Sequence, residues 1–183
     1  AKREGEFGIL HIDAHMDLRI AYEGFTFSHA SIMYNALQIP QVTKIVQVAV
    51  RDYCEEEVGV ATSHATRVSY LSNQAIQKAS YEGKSWKQQC DEIIAMLPQK
   101  VHVSFDIDGL DPTLCPNTGT PVPGGLRFEQ ATYLLSALLA SEKKIIGFDM
   151  VEVAPGDDDW NCNVGSRLLF HLCGILAKSA GKI

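Results

Sequence analysis

Three side chains that commonly bind metal ions occupy alternate positions near the start of the chain: Asp13, His15 and Asp17. They follow residues 7–12, a largely apolar segment that is typical of a buried strand. Alternate residues of an extended segment point to one side, so the three side chains can converge where the strand ends. Because carboxylates and an imidazole are metal ligands, the spacing indicates a metal site; the alternative is a polar turn rich in acidic residues.

A second acidic group lies within residues 104–112, where Asp106 and Asp108 are also two positions apart. Four aspartates in one partly dry cleft would repel each other strongly unless cations neutralised them. Carboxylate-rich sites with one imidazole favour Mn or Mg over Zn. Two such ions held close together would activate water for hydrolysis near neutral pH. The two groups together therefore predict a dinuclear metal hydrolase.

Apolar segments with strand character and segments with helical periodicity alternate along the chain, which is typical of a parallel α/β sheet with right-handed crossovers. Strands are predicted at 7–12, 44–50, 101–105 and 145–153, and helices at about 29–37, 86–97, 128–139 and 164–178, with a further helix opening in the acidic run 55–57. In such sheets, ligands bind beyond the carboxyl ends of the strands. Both acidic groups lie there, and Asp149 and Glu152 come at the end of the last strand.

Three further predictions concern two segments without a clear strand or helix pattern and one histidine within a predicted strand. Residues 61–80 have weak periodicity, and we expect short helices and loops there. Residues 110–125 are rich in Pro, Gly and Thr and predict a long loop, which a compact domain retains for function. His102 stands inside the third predicted strand, and we expect it to pack in the core.

Bulk composition narrows the class of protein. A length of 183 residues suits one domain, and a net charge of −6 without a basic run argues against nucleic-acid and membrane partners. The five cysteines are scattered and form no CxxC pair, which favours reduced thiols and a cytoplasmic location. The chain lacks an initiator Met and enters its first strand almost at once, so we expect it to begin within a domain.

Three sequence blocks, in this order, resemble the ureohydrolase family of arginases, agmatinases and formimidoylglutamases. They are HIDAHMD (11–17), SFDIDGLDP followed by TGTPVPGGL (104–112 and 118–126), and GFDMVEVAP (147–155); RDYCEEE (51–57) is a weaker match. The resemblance implies a three-layer αβα domain with a mostly parallel sheet and a centre of two manganese ions. Residues 1–183 would then be the C-terminal portion of a longer domain, without its N-terminal strands, and the protein would form trimers or hexamers.

The resemblance also implies a role for each metal-binding position. Asp13 and Asp106 resemble the aspartates that bridge both metals. Asp17 resembles a ligand of the first metal only, whereas His15 and Asp108 resemble ligands of the second. The family's remaining ligand of the first metal is a histidine in an upstream Gly-Gly-Asp-His block, which this sequence does not contain. The chain is therefore either a fragment of a longer parent or a protein with an incomplete first site.

Other positions resemble residues that act on the substrate. Glu152 matches the carboxylate that anchors a guanidinium or formimino group. His29 resembles the histidine that passes protons to the leaving amine, although its neighbours differ from the family's His-Gly pattern. We expect Asp149 to contact the metal ligands without binding a metal itself.

Signals for the substrate conflict. Arg19 stands where arginases carry a small polar residue near the substrate carboxylate, so an inward-facing cation favours a formimino or guanidino acid; alternatively it faces solvent or pairs with Glu23. Glu57 resembles an acidic position near the substrate's amino group, but Cys54 replaces the aspartate of arginases. The block at 151–155 is more similar to agmatinases. We expect agmatinase-like hydrolysis of a guanidino C–N bond that releases urea, with formimidoylglutamase or guanidino-acid hydrolase as the alternative.

Two further classes stay open. A deacetylase-type enzyme of related architecture would use a single zinc bound by one His and two Asp, and the extra carboxylates Asp17 and Asp108 argue against it. A non-catalytic relative or fragment would keep the fold without turnover. The ligands present in the chain are intact, which argues against decay by substitution, whereas the missing upstream histidine keeps this reading open.

Overall fold

The computed structural model describes residue 1 and residues 3–182 of the chain. Strands and helices alternate along it, as predicted. The elements are β1 (Phe7–Ile12), α1 (Ile32–Leu37), β2 (Val42–Val50), α2 (Glu55–Ser63), β3 (Val68–Ser72), α3 (Asn73–Tyr81), α4 (Trp86–Ala95), β4 (Lys100–Asp106), α5 (Phe128–Ala140), β5 (Lys144–Val151) and α6 (Trp160–Ser179). Short 3₁₀ turns at His29–Ser31 and Ile107–Gly109 precede α1 and follow β4.

The five strands form one parallel sheet in the order β3-β2-β1-β4-β5. β1 therefore lies at the centre, between β2 and β4. Its last residue, Ile12, pairs with Val48 on one side and Phe105 on the other. Because parallel strands end at a common edge, the two acidic segments that follow β1 and end β4 arrive side by side.

Helices cover both faces of the sheet and create two apolar cores. Leu10 and Ile12 of β1 pack with residues of α3, α4, α5 and α6, whereas Phe7 and Ile9 pack with residues of α1 and α2. This division follows from the two-residue period of a strand and confirms the predicted three-layer α/β class. Truncation of Leu10 to Ala would cost about 2–5 kcal/mol of stability, as for other buried leucines. None of the helices in the described residues is long and apolar enough to cross a membrane.

Strand β3 corrects the expectation of only short helices and loops in residues 61–80. It pairs with β2 at one edge of the sheet. Val68 is buried but Tyr70 is 39% exposed, so the strand lacks the two-faced apolar run that marks the central strands. Edge strands depend on backbone pairing and on their neighbours more than on their own composition, which explains why the local pattern did not reveal it.

Two details near β4 and β5 also differ from expectation. His102 does not pack in the core; its side chain is 30% exposed and its Nε2 lies 2.8 Å from Asp149 Oδ2. Strand β5 ends at Val151, two residues earlier than predicted. Glu152 therefore lies outside the strand, with a φ of 61° in the left-handed region that strands do not use.

Candidate active site

A cleft of about 340 Å³ opens at the carboxyl edge of the sheet. All the predicted site residues except Asp149 line it, namely Asp13, His15, Asp17, Arg19, His29, Glu57, Asp106, Asp108 and Glu152. Tyr22, Asp52, Gly119 and Thr120 also line it, and the sequence had not singled them out as site residues. The cleft lies where the ends of β1, β2, β4 and β5 meet, as the α/β pattern predicted.

Short contacts hold the two acidic segments against each other at the base of the cleft. The backbone N–H of Ala14 donates to Asp108 Oδ1 at 3.0 Å, and the backbone N–H of Asp108 donates to Asp106 Oδ1 at 2.8 Å. A Cβ atom at Gly109 would lie 2.8 Å from the backbone nitrogen of Asp13. Glycine at this position therefore lets the end of β4 approach the end of β1.

Two groups of side chains could each hold a metal ion, because their potential ligand atoms lie within 4.8 Å of one another. The first group is His11, Asp13 and Asp17, and the second is Asp13, His15 and Asp108. Asp13 belongs to both groups, which is the position that a bridging carboxylate must have. Asp106 lines the cleft but belongs to neither group, so the bridging role inferred for it stays a prediction.

Burial and mutual repulsion perturb the acidic groups strongly. Burial raises the pKa of Asp17 to about 8 and that of Asp106 to about 10, and the nearby charge of Asp13 acts in the same direction. Burial alone would lower the pKa of His15, but the nearby carboxylates of Asp108 and Asp13, 3.1 and 3.4 Å from its Nδ1, outweigh this effect and raise the pKa to about 10. Without a metal, these groups hold protons near neutral pH. Divalent cations would displace those protons.

The donor set fits divalent cations. Asp108 Oδ2 is buried and has no partner in hydrogen-bonding geometry among the described residues, although His15 Nδ1 lies 3.1 Å away. A buried carboxylate oxygen without a full partner is costly unless a cation or a donor satisfies it. Ligand sets in which carboxylates outnumber imidazoles suit Mn²⁺ or Mg²⁺ better than Zn²⁺, so the chemistry of these groups favours the predicted type of centre.

Backbone strain occurs at one of the ligand positions. Asp17 has a φ of 54°, a left-handed conformation that costs about 1–3 kcal/mol for a non-glycine residue. Its carbonyl oxygen accepts hydrogen bonds from the backbone N–H groups of Met33 and Tyr34, at 3.0 and 3.1 Å. The start of α1 therefore holds Asp17 in a conformation that turns its carboxyl group into the cleft.

The loop after β4 positions Glu152, which lines the cleft. The hydroxyl of Thr118 donates to the Glu152 carbonyl oxygen at 3.0 Å. A Cβ atom at Gly119 would lie 3.3 Å from Glu152 Oε2, so the carboxylate rests close to the loop backbone. Glu152 itself is exposed to the cleft, and its carboxylate is available to a cationic ligand.

Arg51 anchors that loop to the sheet. Its guanidinium donates to the carbonyl oxygens of Asp108, Leu110 and Val122, with shortest distances of 2.7, 3.1 and 2.9 Å. A further bond reaches the carbonyl of Ala49 at 3.1 Å. The guanidinium of one residue at the end of β2 thus ties the second acidic segment and the loop together.

Arg19, Tyr22 and His29 form one wall of the cleft. The guanidinium of Arg19 lies 5.4 Å from the centre of the Tyr22 ring, and the Tyr22 ring contacts His29 edge-on at 5.4 Å between centroids. Arg19 Nε lies 3.8 Å from Glu57 Oε2. Within the described residues Arg19 pairs with Glu57 rather than with Glu23.

Glu57 is tied to the backbone on both oxygens. Oε1 accepts from the N–H of Leu18 at 3.1 Å and Oε2 from the N–H of Cys54 at 3.0 Å. The residue is 3% exposed. It joins the segment after β1 to the start of α2 and lies 3.8 Å from Arg19, so its role in substrate binding stays a prediction.

Asp149 lies on β5, outside the cleft. Its carboxylate accepts hydrogen bonds from Ser104 Oγ at 2.9 Å and pairs with His102 Nε2 at 2.8 Å. No hydrogen bond joins it to a predicted metal ligand in the part of the chain that the structure describes. Its contacts therefore tie β4 to β5.

His11 is the main residue that sequence reasoning missed. It is fully buried, its Nε2 lies 2.9 Å from Asp13 Oδ2, and its Nδ1 lies 3.0 Å from the amide nitrogen of Gln47. The usable signal was its position two residues before Asp13 in the same strand, since alternate strand residues share a face.

Residues 1–174 match the Arginase family. The chain belongs to this family. N(1)-aminopropylagmatine ureohydrolase of Thermus thermophilus is 35% identical over 177 residues, 97% of this chain and 56% of the relative. Agmatinase of Pyrococcus horikoshii is 34% identical over 168 residues, 91% of this chain and 54% of the relative. The structure of proclavaminate amidino hydrolase from Streptomyces clavuligerus superposes with a TM-score of 0.80 at 26% identity, covering 98% of this chain and 58% of that one.

Arginase-family membership confirms the resemblance drawn from the sequence blocks and supports a hydrolase. The chain spans little more than half the length of these relatives.

Proposed function

We propose that this arginase-family chain is part of a dinuclear manganese hydrolase that cleaves a C–N bond of a guanidino compound, with agmatinase-like specificity and release of urea. The observation that carries the proposal is that the ligand atoms of Asp13 lie within 4.8 Å of those of Asp17 and also within 4.8 Å of those of His15 and Asp108. A single-zinc enzyme would need only one of these two sets of neighbours around the carboxylate. The names of the relatives, agmatinase and N(1)-aminopropylagmatine ureohydrolase, support the guanidino class.

The position of each residue determines whether it would bind a metal ion or act on the substrate. Asp13 and Asp17, with Asp106, would hold one ion, and Asp13, Asp106, His15 and Asp108 the other. When bound, the two Mn²⁺ ions supply a nucleophile from water near neutral pH and neutralise the aspartates. The chain's other residues bind the substrate and move its protons.

Glu152 binds the guanidinium, because a carboxylate can accept paired, charge-assisted hydrogen bonds from it. The oxygen of water adds to the guanidinium carbon, and the bond from that carbon to the alkyl nitrogen breaks. His29, which also lines the cleft, delivers a proton to the departing nitrogen. The products are urea and an amine.

The charge around Arg19 bears on the substrate. Its pairing with Glu57 at 3.8 Å partly compensates its charge, and Asp52 adds an exposed carboxylate to the lining. A substrate with a distal amine is therefore tolerated, which favours agmatine-like compounds. The second candidate is a guanidino or formimino acid, since the Arg19 side chain keeps 35% exposure and could bind a carboxylate.

A substrate panel separates these candidates. Full-length, Mn²⁺-loaded protein is assayed with agmatine, N(1)-aminopropylagmatine, arginine, 4-guanidinobutyrate and formiminoglutamate, and urea, ammonia and formamide are measured. Urea from the amine-terminated substrates supports the proposal, whereas turnover of the acids alone supports the second candidate. One zinc per chain, or no product from any substrate, contradicts the proposed hydrolase.

We also infer a cytoplasmic homo-oligomer, a trimer or hexamer. The resemblance to ureohydrolases and the absence of disulfides among the described cysteines support this. Phe27 and Phe170 are 88% and 83% exposed, as apolar side chains at subunit contacts would be in an isolated chain. Sedimentation of the full-length protein as a monomer at micromolar concentration would contradict the oligomer.

A further inference from the structure

A fully buried histidine stands behind the shared carboxylate of the cleft. His11 lies in β1, at the centre of the sheet, with 0% exposure. Buried polar groups are nearly always hydrogen-bonded, so both ring nitrogens require partners. Nδ1 faces the side chain of Gln47 on β2, and Nε2 faces Asp13. These two contacts determine what the ring can do.

The orientation of the Gln47 amide decides where the histidine proton lies. The amide nitrogen Nε2 is 2.6 Å from the carbonyl oxygen of Met16, which can only accept a hydrogen bond. Turning the amide over would bring Oε1 against that oxygen, two acceptors in contact. The NH₂ group therefore also faces His11 Nδ1, at 3.0 Å. Nδ1 accepts this bond, so a neutral ring carries its proton on Nε2.

We propose that His11 is a positioning residue for Asp13, to whose Oδ2 it donates the Nε2 proton, and that Gln47 fixes the tautomer this requires. The Nε2–Oδ2 distance of 2.9 Å is within donor–acceptor range, although Nε2 has no partner in hydrogen-bonding geometry among the described residues. A nitrogen that carries a proton has no lone pair for a cation. His11 is thus not a metal ligand, despite its place in the first group of potential ligands.

The consequence is a carboxylate that is oriented before any ion arrives. The backbone N–H of His15 donates to Asp13 Oδ1 at 2.6 Å, and His11 Nε2 lies 2.9 Å from Oδ2. Each carboxylate oxygen has a second lone pair, so both remain able to bind a cation. Hydrogen-bond partners of metal ligands typically contribute about 10–100-fold in metal affinity. The expected effect on metal affinity rests on the proposed metal centre, whereas the tautomer of His11 does not.

The rival role for His11 requires the opposite tautomer. If Nε2 bound the first metal, in place of a histidine from elsewhere in the protein, the ring proton would lie on Nδ1. The Gln47 amide would then have to present Oε1, which in this structure has no partner among the described residues. The position of the ring proton, on Nε2 or on Nδ1, therefore distinguishes a positioning role for His11 from metal binding by His11.

The first experiment measures that proton. Full-length protein labelled with ¹⁵N-histidine is studied by long-range ¹H–¹⁵N correlation NMR at pH 8 in excess Mg²⁺, and the His11 signals are assigned by their loss in His11→Gln. We expect the Nε2–H pattern, and a shift toward the Nδ1–H pattern in Gln47→Met, which lacks the amide donor. An Nδ1–H pattern or a doubly protonated ring in the unmutated protein overturns the proposal. This readout holds even if the protein proves not to be a manganese hydrolase.

The second experiment compares Mn²⁺ binding by calorimetry and by metal content. His11→Leu should weaken binding about 10–100-fold while two ions still bind at saturation, and His11→Gln, which keeps an N–H donor, should restore affinity to within about threefold. His64→Leu, at a histidine beyond the end of α2, is the matched control and should bind as the unmutated protein does. Loss of one ion in both His11 variants, equal affinities in all proteins, or a glutamine variant as weak as the leucine variant overturns the proposal. If the unmutated protein binds no Mn²⁺, the proposed function fails and the NMR result stands alone.

Discussion

The Nδ1 atom of His15 lies 3.1 Å from the Oδ2 atom of Asp108, although the two residues come from segments far apart in the chain. The contact exists because β1 and β4 are neighbours in a parallel sheet, with Ile12 beside Phe105. Both side chains leave the sheet at its carboxyl edge. A cation placed between their ligand atoms would replace a proton.

Replacing Asp106 tests the predicted bridging role. Asp106→Asn keeps the size of the side chain but removes its charge, and we expect at least about a 100-fold loss of Mn²⁺ affinity and of kcat/KM, since even the partners of ligands contribute about 10–100-fold. Metal content after gel filtration and steady-state kinetics measure the two effects. Asp91→Asn, on an exposed face of α4, is the control and should change neither. An Asp106→Asn variant with unaltered metal content and turnover would remove Asp106 from the centre.

The metal-free protein should lose stability as pH rises. Folding raises the pKa of Asp17 from 3.8 to about 8, of Asp106 from 3.8 to about 10 and of His15 from 6.5 to about 10. The folded state therefore binds more protons than the unfolded state between each pair of values, and its stability falls with pH there. All three groups act together between pH 6.5 and 8, so the thermal midpoint in EDTA should fall most steeply in that window.

Added Mn²⁺ should remove this dependence, because the ions take the place of the protons. Calorimetric scans at pH 6.5, 8 and 9.5, with EDTA and with Mn²⁺, measure both effects. Asp17→Asn should flatten the slope in EDTA between pH 6.5 and 8. A midpoint that is constant or rises with pH in EDTA would mean that these three groups do not hold the extra protons in the metal-free protein.

Adding a methyl group at Gly119 should disturb substrate binding rather than the metal centre. The new Cβ would lie 3.3 Å from Glu152 Oε2, so the carboxylate must move by a few tenths of an ångström. We expect KM for the guanidino substrate to rise about threefold to tenfold, because small displacements of a positioning group are costly. Mn²⁺ content should be unchanged.

Gly174→Ala provides the comparison for Gly119→Ala. Apart from its chain neighbours and the backbone of its own helix, no described atom lies within 4 Å of a Cβ at this position in α6, and alanine is favoured over glycine in a helix by about 0.5–1 kcal/mol. Its KM should match that of the unmutated protein, and its stability should be equal or higher. Equal KM values for both variants would show that Glu152 does not contact the substrate.

Arg51 should prove necessary for the shape of the cleft. Arg51→Lys cannot reach the carbonyls of Asp108, Leu110 and Val122 together, and each lost bond from a charged group contributes about 1.5–3 kcal/mol. We expect a loss of about 2–4 kcal/mol in the free energy of unfolding and at least a tenfold fall in kcat/KM. Denaturant titration and kinetics measure these quantities.

Arg67→Lys separates stability from function in that experiment. Arg67 also donates to backbone carbonyls, those of Leu37 and Val42, but it lies outside the residues that line the cleft. Its lysine variant should be destabilised to a similar degree while the folded fraction keeps normal kcat/KM. A similar loss of kcat/KM in both variants would show that the effect of Arg51 is not local to the cleft.

Local patterns in the sequence were enough to predict the central strands and most helices, because each of these elements has a dense apolar run or a clear helical period. The edge strand β3 was missed, since its pairing with β2 stabilises it more than its own side chains do. The end of β5 was misplaced by two residues because Glu152 adopts a left-handed φ of 61°, which the Thr118 contact supports.

The sequence by itself determined the types and spacing of the ligands, the α/β class and the edge of the sheet where those ligands meet. Each of these depends on neighbours along the chain, through the two-residue period of strands. Tertiary structure alone decided that Asp13 is shared by two groups, that Glu57 holds Arg19, and that His11 stands between Gln47 and Asp13. These contacts join separate strands and loops, and only the register of β1 against β2 and β4 brings their atoms within bonding distance.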